Sequence, residues 1–196
     1  CIRDRRIDQK ETRQRPMPPF MTSTLQQAAS SLLGMSPRET MQVAQRLYEG
    51  VDLGGGEREG LITYMRTDSL TLSSRALAEA GEVIRKQFGD KYYQGTRQYA
   101  TRSKNAQEAH EAIRPTHLAR TPDSVAHYLK PAEFALYRLI WNRTIASQMA
   151  DAVLLKSVVD FETKLDQGAA VLRANGSVVS FPGYLRVADT AQRDTV

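Results

Sequence analysis

Apolar side chains recur every three or four residues through the middle of the chain, a spacing that predicts helices with one buried face. The first such segment opens with the hydroxyl-rich stretch from Thr22 to Thr24 and closes at Gly34, residue types that favour a helix start and a helix end. Its apolar stripe consists of Leu25, Ala28, Ala29 and Leu32. We therefore predict a helix from about Thr22 to Gly34.

A second helix is predicted directly after the first. Ser36 fits the N-cap, Pro37 the first helical position and Glu39 the third, which is the pattern of a capping box. The apolar stripe that follows is Met41, Ala44, Leu47 and Tyr48. Next come a glycine-rich loop, GGGERE (Gly54–Glu59), and a short β-type run, LITYM (Leu61–Met65). Helix, turn, helix and strand is the order of elements in a winged helix.

Two more helices are predicted further along, near Ser73–Phe88 and over Pro131–Met149, because both segments keep the helical spacing. Their stripes are Leu77, Ala80, Ile84 and Phe88 in the first, and Phe134, Tyr137, Trp141 and Ile145 in the second. A basic connector dotted with aromatic residues, Asp90–Asn105, lies between them.

The spacing of apolar and polar residues changes at both ends of the chain. Residues 1–15 fit an exposed edge strand or an ordered tail, and RPMPPF (Arg15–Phe20) ends that element because proline suits neither a helix interior nor a central strand. Beyond Asp151 the runs VLLKSVVDFET, AAVLRA and SVVSFPGYLRV, punctuated by Gly and Asn-Gly, predict antiparallel strands and hairpins. The predicted fold class is α+β, with a helical centre and β segments around it.

Composition narrows the classes of protein without identifying one. The 196 residues are 41% hydrophobic, enough for a core, and their net charge of +5 mildly favours a polyanionic partner. No apolar run approaches the eighteen or so residues of a membrane span. The single cysteine, Cys1, excludes an internal disulfide framework and a cysteine-based zinc site. Because the chain starts at Cys1 without a signal sequence, we expect it to be an internal piece of a longer protein.

The run LITYMRT contains a pairing that is chemically useful. In an extended chain residues two apart face the same side, so Tyr64 and Arg66 would project together and Thr63 and Met65 oppositely. A tyrosine hydroxyl with a pKa near 10 is roughly one part in a thousand ionised at neutral pH, and a neighbouring cation favours the phenolate. An arginine there could also hold a phosphate through two hydrogen bonds. The alternative is a surface strand with an arginine stacked on an aromatic ring.

The segment SKNAQEAHEAIRPT (Ser103–Thr116) gathers further groups that bind phosphate. If it is helical, His110 and Arg114 lie one turn apart on one face, and both can donate hydrogen bonds to phosphate oxygens. The alternative is a solvated helix whose glutamates pair with Arg114 and which Pro115 ends.

Four blocks of the sequence resemble, in order and spacing, consecutive motifs of bacterial type IA DNA topoisomerases of the topoisomerase I type. They are PFMTSTLQQAAS (Pro19–Ser30), MQVAQRLYEG (Met41–Gly50), GLITYMRTDS (Gly60–Ser69) and QEAHEAIRPT (Gln107–Thr116). The resemblance extends from about Pro18 to Met149, and FPGYLRV near the C-terminus resembles part of the family's arch domain more weakly. Four blocks in order are far more specific than any one of them.

The resemblance implies a reaction and a role for each site residue. Tyr64 would attack a backbone phosphate of single-stranded DNA and form a 5′-phosphotyrosine link, another strand would pass through the gap, and reversal would reseal the break without ATP. Arg66 would position the phosphate and stabilise the phenolate. His110, and with less weight Arg114, would contact the DNA backbone. The substrate would be single-stranded segments of negatively supercoiled DNA, in the cytoplasm at the nucleoid.

The resemblance also implies an architecture and a metal ion. A winged-helix-like (CAP-like) tyrosine domain over residues 20–150 would be flanked by arch-domain segments at 1–19 and 151–196. Mg²⁺ would be bound by a toprim domain outside this chain, so we expect no metal site or other cofactor within it. We expect the isolated chain to be inactive or only to bind DNA, with the remaining domains of the same polypeptide as its partners and no membrane.

Three other interpretations remain open at this stage. A non-enzymatic winged-helix DNA-binding module would explain the charge and the helices, but its second helix, Met41–Gly50, carries only Arg46 as a cation for the major groove. A tyrosine recombinase normally places its nucleophile after its arginine and histidine, whereas Tyr64 precedes His110. The third interpretation is a purely structural piece.

Overall fold

The chain folds into a helical body built from its middle and a three-stranded sheet built from its two ends. A computed structural model describes residues 2–99, 110–165 and 168–187. The α-helices are α1 (Thr22–Leu33), α2 (Pro37–Glu49), α3 (Ser74–Phe88), α4 (Pro122–Val125) and α5 (Pro131–Gln148). Short 3-10 turns lie at Asp90–Tyr92 and Ala126–Tyr128. The four predicted helices are confirmed; α4 and the two short turns were not predicted.

The sheet joins residues that are far apart in the sequence. Its strands are β1 (Ile2–Gln14), β4 (Ala152–Leu165) and β5 (Gly168–Phe181), all antiparallel, in the order β1-β4-β5. A second, two-stranded ladder pairs β2 (Val51–Asp52) with β3 (Arg58–Glu59). The predicted edge strand at the N-terminus is confirmed, and so is its end before the proline-rich segment.

Helix α5 is the centre of the helical body and packs against α1, α2, α3 and α4. Its Trp141 is almost fully buried, and the indole Nε1–H donates to the Leu118 carbonyl at 2.9 Å. Tyr137 on the same helix is fully buried and donates to the Arg120 carbonyl at 2.9 Å. The indole N–H of Trp141 and the hydroxyl of Tyr137 are therefore both hydrogen-bonded, as buried polar groups in folded proteins usually are.

The helix ends follow the local sequence. Ser36 caps α2 by accepting from the Glu39 N–H at 3.2 Å, and Gly34 closes α1 in the left-handed conformation with φ of +68°. Gly50, with φ of +116°, brings the end of α2 against the backbone of β3, where a Cβ would lie 3.1 Å from Glu59.

Three predictions about β structure and burial were wrong. Asn175 and Gly176 are not a hairpin turn; they pair with Val158 and Ser157 inside β5. The run LITYM forms no strand of its own within the described residues, because only Ile62 makes an isolated bridge. Leu32, placed on the buried stripe of α1, is 66% exposed.

Two further expectations concern the overall organisation. The last two residues of the loop GGGERE form strand β3, which pairs with β2. The sheet is built from the segments at 1–19 and 151–196 and the helices from 20–150, but the assignment of these segments to an arch and a winged helix stays a prediction.

Candidate functional site

In the segment after Gly60, two consecutive buried residues are followed by exposed and buried side chains that alternate from Tyr64 to Ser69. Its buried residues are Leu61, Ile62, Met65, Thr67 and Ser69. Tyr64, Arg66 and Asp68 are exposed. Tyr64 and Arg66 are thus both exposed with the buried Met65 between them, although the chain bends at Met65 and Arg66 and forms no named strand there, so their projection to one side stays a prediction.

The N-terminus of α1 holds this segment from one side. The Thr22 hydroxyl donates to the carbonyls of Met65 at 2.8 Å and Thr67 at 3.0 Å. The Thr67 N–H donates back to the same hydroxyl at 2.9 Å, and the Thr22 N–H donates to the Thr67 carbonyl at 2.9 Å. Arg66 lies between two residues whose backbone is fixed to the first turn of a helix.

The stretch from His110 to Thr116 holds the segment from the other side. The Thr63 N–H donates to the Arg114 carbonyl at 2.9 Å, and the Thr63 hydroxyl donates to the Ala112 carbonyl at 2.8 Å. Ile62 and Pro115 form an antiparallel bridge. This stretch is extended, so the helix that would have set His110 and Arg114 one turn apart does not form in it. Residues 103–109, the rest of the predicted helix, lie outside the described residues.

An open pocket of about 560 Å³ lies where these pieces meet. It is lined by Met21, Thr22, Ser23, Arg66, Thr67, Asp68 and His110. The N-terminus of α1 contributes the partial positive charge of a helix dipole, and Arg66 contributes a full one. Met21 is the N-cap, and its side chain carries no oxygen that could cap the helix. The pocket thus gathers groups that attract an anion, with one carboxylate, Asp68, at its wall.

Two of the four predicted site residues share this pocket. Arg66 and His110, which are far apart in sequence, both line it. A third, Tyr64, is exposed two residues before Arg66 and is not among the residues that line the pocket.

Arg114 is placed differently. Its guanidinium donates to Glu111 Oε2 from Nη2 at 2.5 Å and from Nε at 3.1 Å, and to the Pro115 carbonyl at 2.8 Å. Its side chain is only 13% exposed. Arg114 therefore connects parts of the extended stretch to one another. The alternative interpretation, in which a glutamate pairs with Arg114, is met in this respect, and the contact of Arg114 with DNA stays a prediction.

Glu111 links this stretch to the start of α3. One carboxylate oxygen accepts from the Ser73 N–H at 2.8 Å while the other accepts from Arg114. Burial alone would raise the pKa of Glu111, but the Ser73 hydrogen bonds and the Arg114 charge outweigh it and lower the pKa below its usual value. The carboxyl group is thus held in its charged form.

Sequence reasoning missed two residues of the site. Thr22 was assigned to a helix start, but its hydroxyl binds the Met65 and Thr67 carbonyls instead of a helix N–H. Tyr48 was placed on the apolar stripe of α2, but it is 41% exposed and its ring meets that of Tyr64 edge to face. Periodicity gives no sign of either contact, because each joins separate elements.

The part of the chain that the structure describes contains neither a cluster of metal ligands nor a membrane-spanning helix. No three His, Cys, Asp or Glu side chains there come close enough together to hold a metal ion. Over the same residues, no helix is long and apolar enough to cross a membrane.

Comparison with known proteins gives a consistent result. The family model described as DNA topoisomerase matches residues 3–196. The chain is 48% identical over 183 residues to DNA topoisomerase 1 of Rickettsia felis, which covers 93% of this chain and 23% of that protein. It is 50% identical over 182 residues to DNA topoisomerase 1 of Xylella fastidiosa, covering 92% of this chain and 22% of that protein.

A solved structure extends the similarity to the fold. Full-length topoisomerase I from Thermotoga maritima superposes with a TM-score of 0.82 at 36% sequence identity, over 95% of this chain and 29% of that one. The mixed α/β fold is therefore shared with that protein. The chain spans less than a quarter of the length of the Rickettsia and Xylella relatives.

Proposed function

The chain belongs to the DNA topoisomerase family, and from that premise we propose that it carries the nucleophile of a type IA topoisomerase, Tyr64. The observation that supports this most is the exposure of Tyr64 and Arg66 in a segment tied down from both sides, where Arg66 lines a pocket suited to an anion. A reactive side chain must be accessible and must extend from a fixed backbone, and this segment meets both requirements.

In the proposed reaction the Tyr64 Oη forms a bond to the phosphorus of a DNA backbone phosphate. The bond between phosphorus and the 3′ oxygen of the preceding nucleotide breaks, and that oxygen leaves as a hydroxyl after taking up a proton. The phenolic proton passes to solvent. The product is a 5′-phosphotyrosine, and since the phosphoester bond energy is retained, the reverse reaction reseals the strand without ATP.

The neighbouring groups have separate roles in this proposal. Arg66 binds the non-bridging oxygens of the phosphate and stabilises charge as it builds up in the transition state. The N-terminal turn of α1 and His110 bind phosphates along the strand in the same pocket. The Mg²⁺ that the family resemblance implies would be bound by groups beyond the described residues.

We propose single-stranded DNA as the substrate and the remaining domains of a full-length topoisomerase as partners. The isolated chain is proposed to bind single-stranded DNA weakly, with an affinity that falls steeply as salt rises, because phosphate contacts release bound counterions. The winged-helix binding module is less favoured, because Arg46, the cation noted on α2, is bound to Glu133 at 2.9 Å rather than projecting alone.

The test uses a full-length bacterial topoisomerase polypeptide that carries these 196 residues in their homologous place. It is incubated with Mg²⁺ and a 3′-labelled single-stranded oligonucleotide, then denatured and separated by size. The label should move with the protein, and Tyr64→Phe should abolish the transfer. Tyr128→Phe, which removes a hydroxyl from another exposed tyrosine, is the matched control and should transfer label normally. Transfer that persists in Tyr64→Phe would refute the proposal.

A second experiment separates the role of Arg66 from simple binding. Arg66→Ala should slow the first-order cleavage step more than it weakens DNA binding, because its proposed interaction strengthens in the transition state. Equal losses in the cleavage rate and in the affinity would refute that role and leave Arg66 as a DNA contact only.

A further inference from the structure

The side chain that packs against Tyr64 comes from a different element. Tyr48 lies in the last turn of α2, and its ring centroid is 5.4 Å from that of Tyr64, with 65° between the ring planes. This is the edge-to-face arrangement that aromatic pairs prefer. The two rings are exposed to nearly the same extent, 41% and 42%, so the pair lies at the surface rather than in the core.

The backbone fixes the two tyrosines relative to each other. The Leu61 N–H donates to the Leu47 carbonyl at 2.8 Å, which joins the segment of Tyr64 to the residue before Tyr48. At position 60 a Cβ would lie 2.6 Å from the Tyr48 carbonyl oxygen, so glycine is what allows the chain to approach α2 this closely. The ring contact therefore follows from a tight main-chain junction.

The Tyr64 side chain has little else to orient it. Within the described residues its hydroxyl makes no hydrogen bond, and the Tyr48 ring is its one aromatic neighbour. An exposed side chain changes rotamer on the picosecond to nanosecond scale, while in-line attack on phosphorus requires the oxygen in a narrow range of positions. A ring packed against Tyr64 reduces the number of rotamers it can adopt.

We propose that Tyr48 is a positioning residue, whose ring holds the Tyr64 ring in the orientation from which its hydroxyl attacks the DNA phosphate. The inference rests on the proposed role of Tyr64 as nucleophile. It assigns the effect to the aromatic ring of Tyr48 and not to its hydroxyl, because the ring makes the contact.

The experiment compares Tyr48→Leu with Tyr48→Phe in the full-length polypeptide described above. Leucine keeps an apolar side chain with good helix propensity at an exposed position, so the fold is retained, whereas phenylalanine keeps the ring. Tyr128→Leu is the matched control, since Tyr128 is 37% exposed and is not in ring contact with Tyr64. First-order cleavage rates at saturating oligonucleotide and dissociation constants are measured for all three and for the unmodified protein.

We expect Tyr48→Leu to lower the cleavage rate about tenfold or more, with the dissociation constant within about twofold, and Tyr48→Phe to restore the rate to within about threefold. Unchanged cleavage in Tyr48→Leu would overturn the inference, and so would an equal loss in both variants, which would point to the hydroxyl. If the unmodified protein forms no adduct on Tyr64, the proposed function itself fails and the inference with it. That outcome is distinct, because it appears before any substitution.

Discussion

The helical body and the three-stranded sheet are stabilised in different ways. In the body, side chains such as Leu136, Ile140 and Ile145 are completely buried around α5. In the sheet, Ile7, Leu172 and Val178 are each more than half exposed, and the register of β1, β4 and β5 places all three on one face. The body therefore contains its own core, whereas the sheet depends on its backbone ladder and on its junction with the body.

That junction is a small set of contacts around Ala150 and Asp151. The Ala150 N–H donates to the Tyr92 carbonyl at 2.8 Å, and the Tyr184 N–H donates to the Ala150 carbonyl at 3.0 Å. Arg97 pairs with Asp151 at 2.7 Å. The body and the sheet can thus be perturbed separately or together, depending on where a substitution is made.

The largest effect is expected in the centre of the body. Trp141→Ala removes a buried indole and its hydrogen bond to Leu118, and should lower the free energy of unfolding by about 3–5 kcal/mol. Urea unfolding followed by far-UV circular dichroism measures this. A loss below about 1 kcal/mol would mean that the body is not packed as described.

The junction should be the next most sensitive position. Gly183 has φ of +50°, and a Cβ there would lie 2.6 Å from the Ala150 carbonyl oxygen. Gly183→Ala should therefore lower the free energy of unfolding by about 2 kcal/mol. The single tryptophan, Trp141, reports on the body by fluorescence, while circular dichroism also reports on the strands. We expect the two unfolding curves to separate in this variant.

The matched control for the junction is Gly176→Ala within β5. A Cβ there meets nothing within 4 Å, so this variant should unfold like the unmodified chain by both probes. Equal behaviour of the two alanine variants would contradict a specific junction at Gly183.

The stretch beside the candidate site should show a smaller effect that depends on pH. Glu111→Gln weakens the pairing with Arg114 and the hydrogen bond accepted from Ser73. It should lower the free energy of unfolding by about 1–2 kcal/mol at pH 7. The pKa of Glu111 in the folded state is lowered from its ordinary value of 4.5. The stabilisation that the Glu111 carboxylate gives the folded state is therefore complete above pH 4.5 and is lost as the pH falls through the lower, folded-state pKa.

Urea unfolding of the unmodified chain and of Glu111→Gln at a series of pH values checks this sign. The difference between them should be greatest near neutral pH and should shrink as pH falls below about 4.5. A difference that grows as the solution becomes more acidic would rule out the charged carboxylate as the stabilising form.

The smallest effect is expected on the open face of the sheet. Val178→Thr replaces one β-branched side chain with another at a position that is 67% exposed, so the free energy of unfolding should change by less than about 0.5 kcal/mol. A loss of more than about 1.5 kcal/mol in the same urea assay would show that Val178 is buried in solution, contrary to the described sheet.

The two regions also differ in how far the sequence predicts them. Helices are local, so the spacing around α5 and the cap at Ser36 are enough to locate them, apart from burial details such as Leu32. Strand pairing is not local. Asn175-Gly176 has the composition of a hairpin turn, but the register of β4 with β5 places it inside a long strand.

The candidate site shows the same division. The exposure of Tyr64 and Arg66 around the buried Met65 follows from a local alternation that the sequence shows. The resemblance pointed to His110, which lines the pocket, and its role stays a prediction. The hydrogen bonds of Thr22 and the ring contact of Tyr48 arise only when separate elements pack together. The extended conformation around Arg114 depends likewise on its bridges to Phe20 and Ile62.

The most direct test of the account is to identify which of the eight tyrosines becomes linked to DNA. The full-length polypeptide carrying this chain is trapped with a single-stranded oligonucleotide under denaturing conditions, digested with nuclease and protease, and analysed by mass spectrometry. The account predicts a nucleotide 5′-phosphate remnant on the peptide that contains Tyr64 and on no other tyrosine peptide. A remnant on a different tyrosine, or strand cleavage with no tyrosine modified, would contradict it.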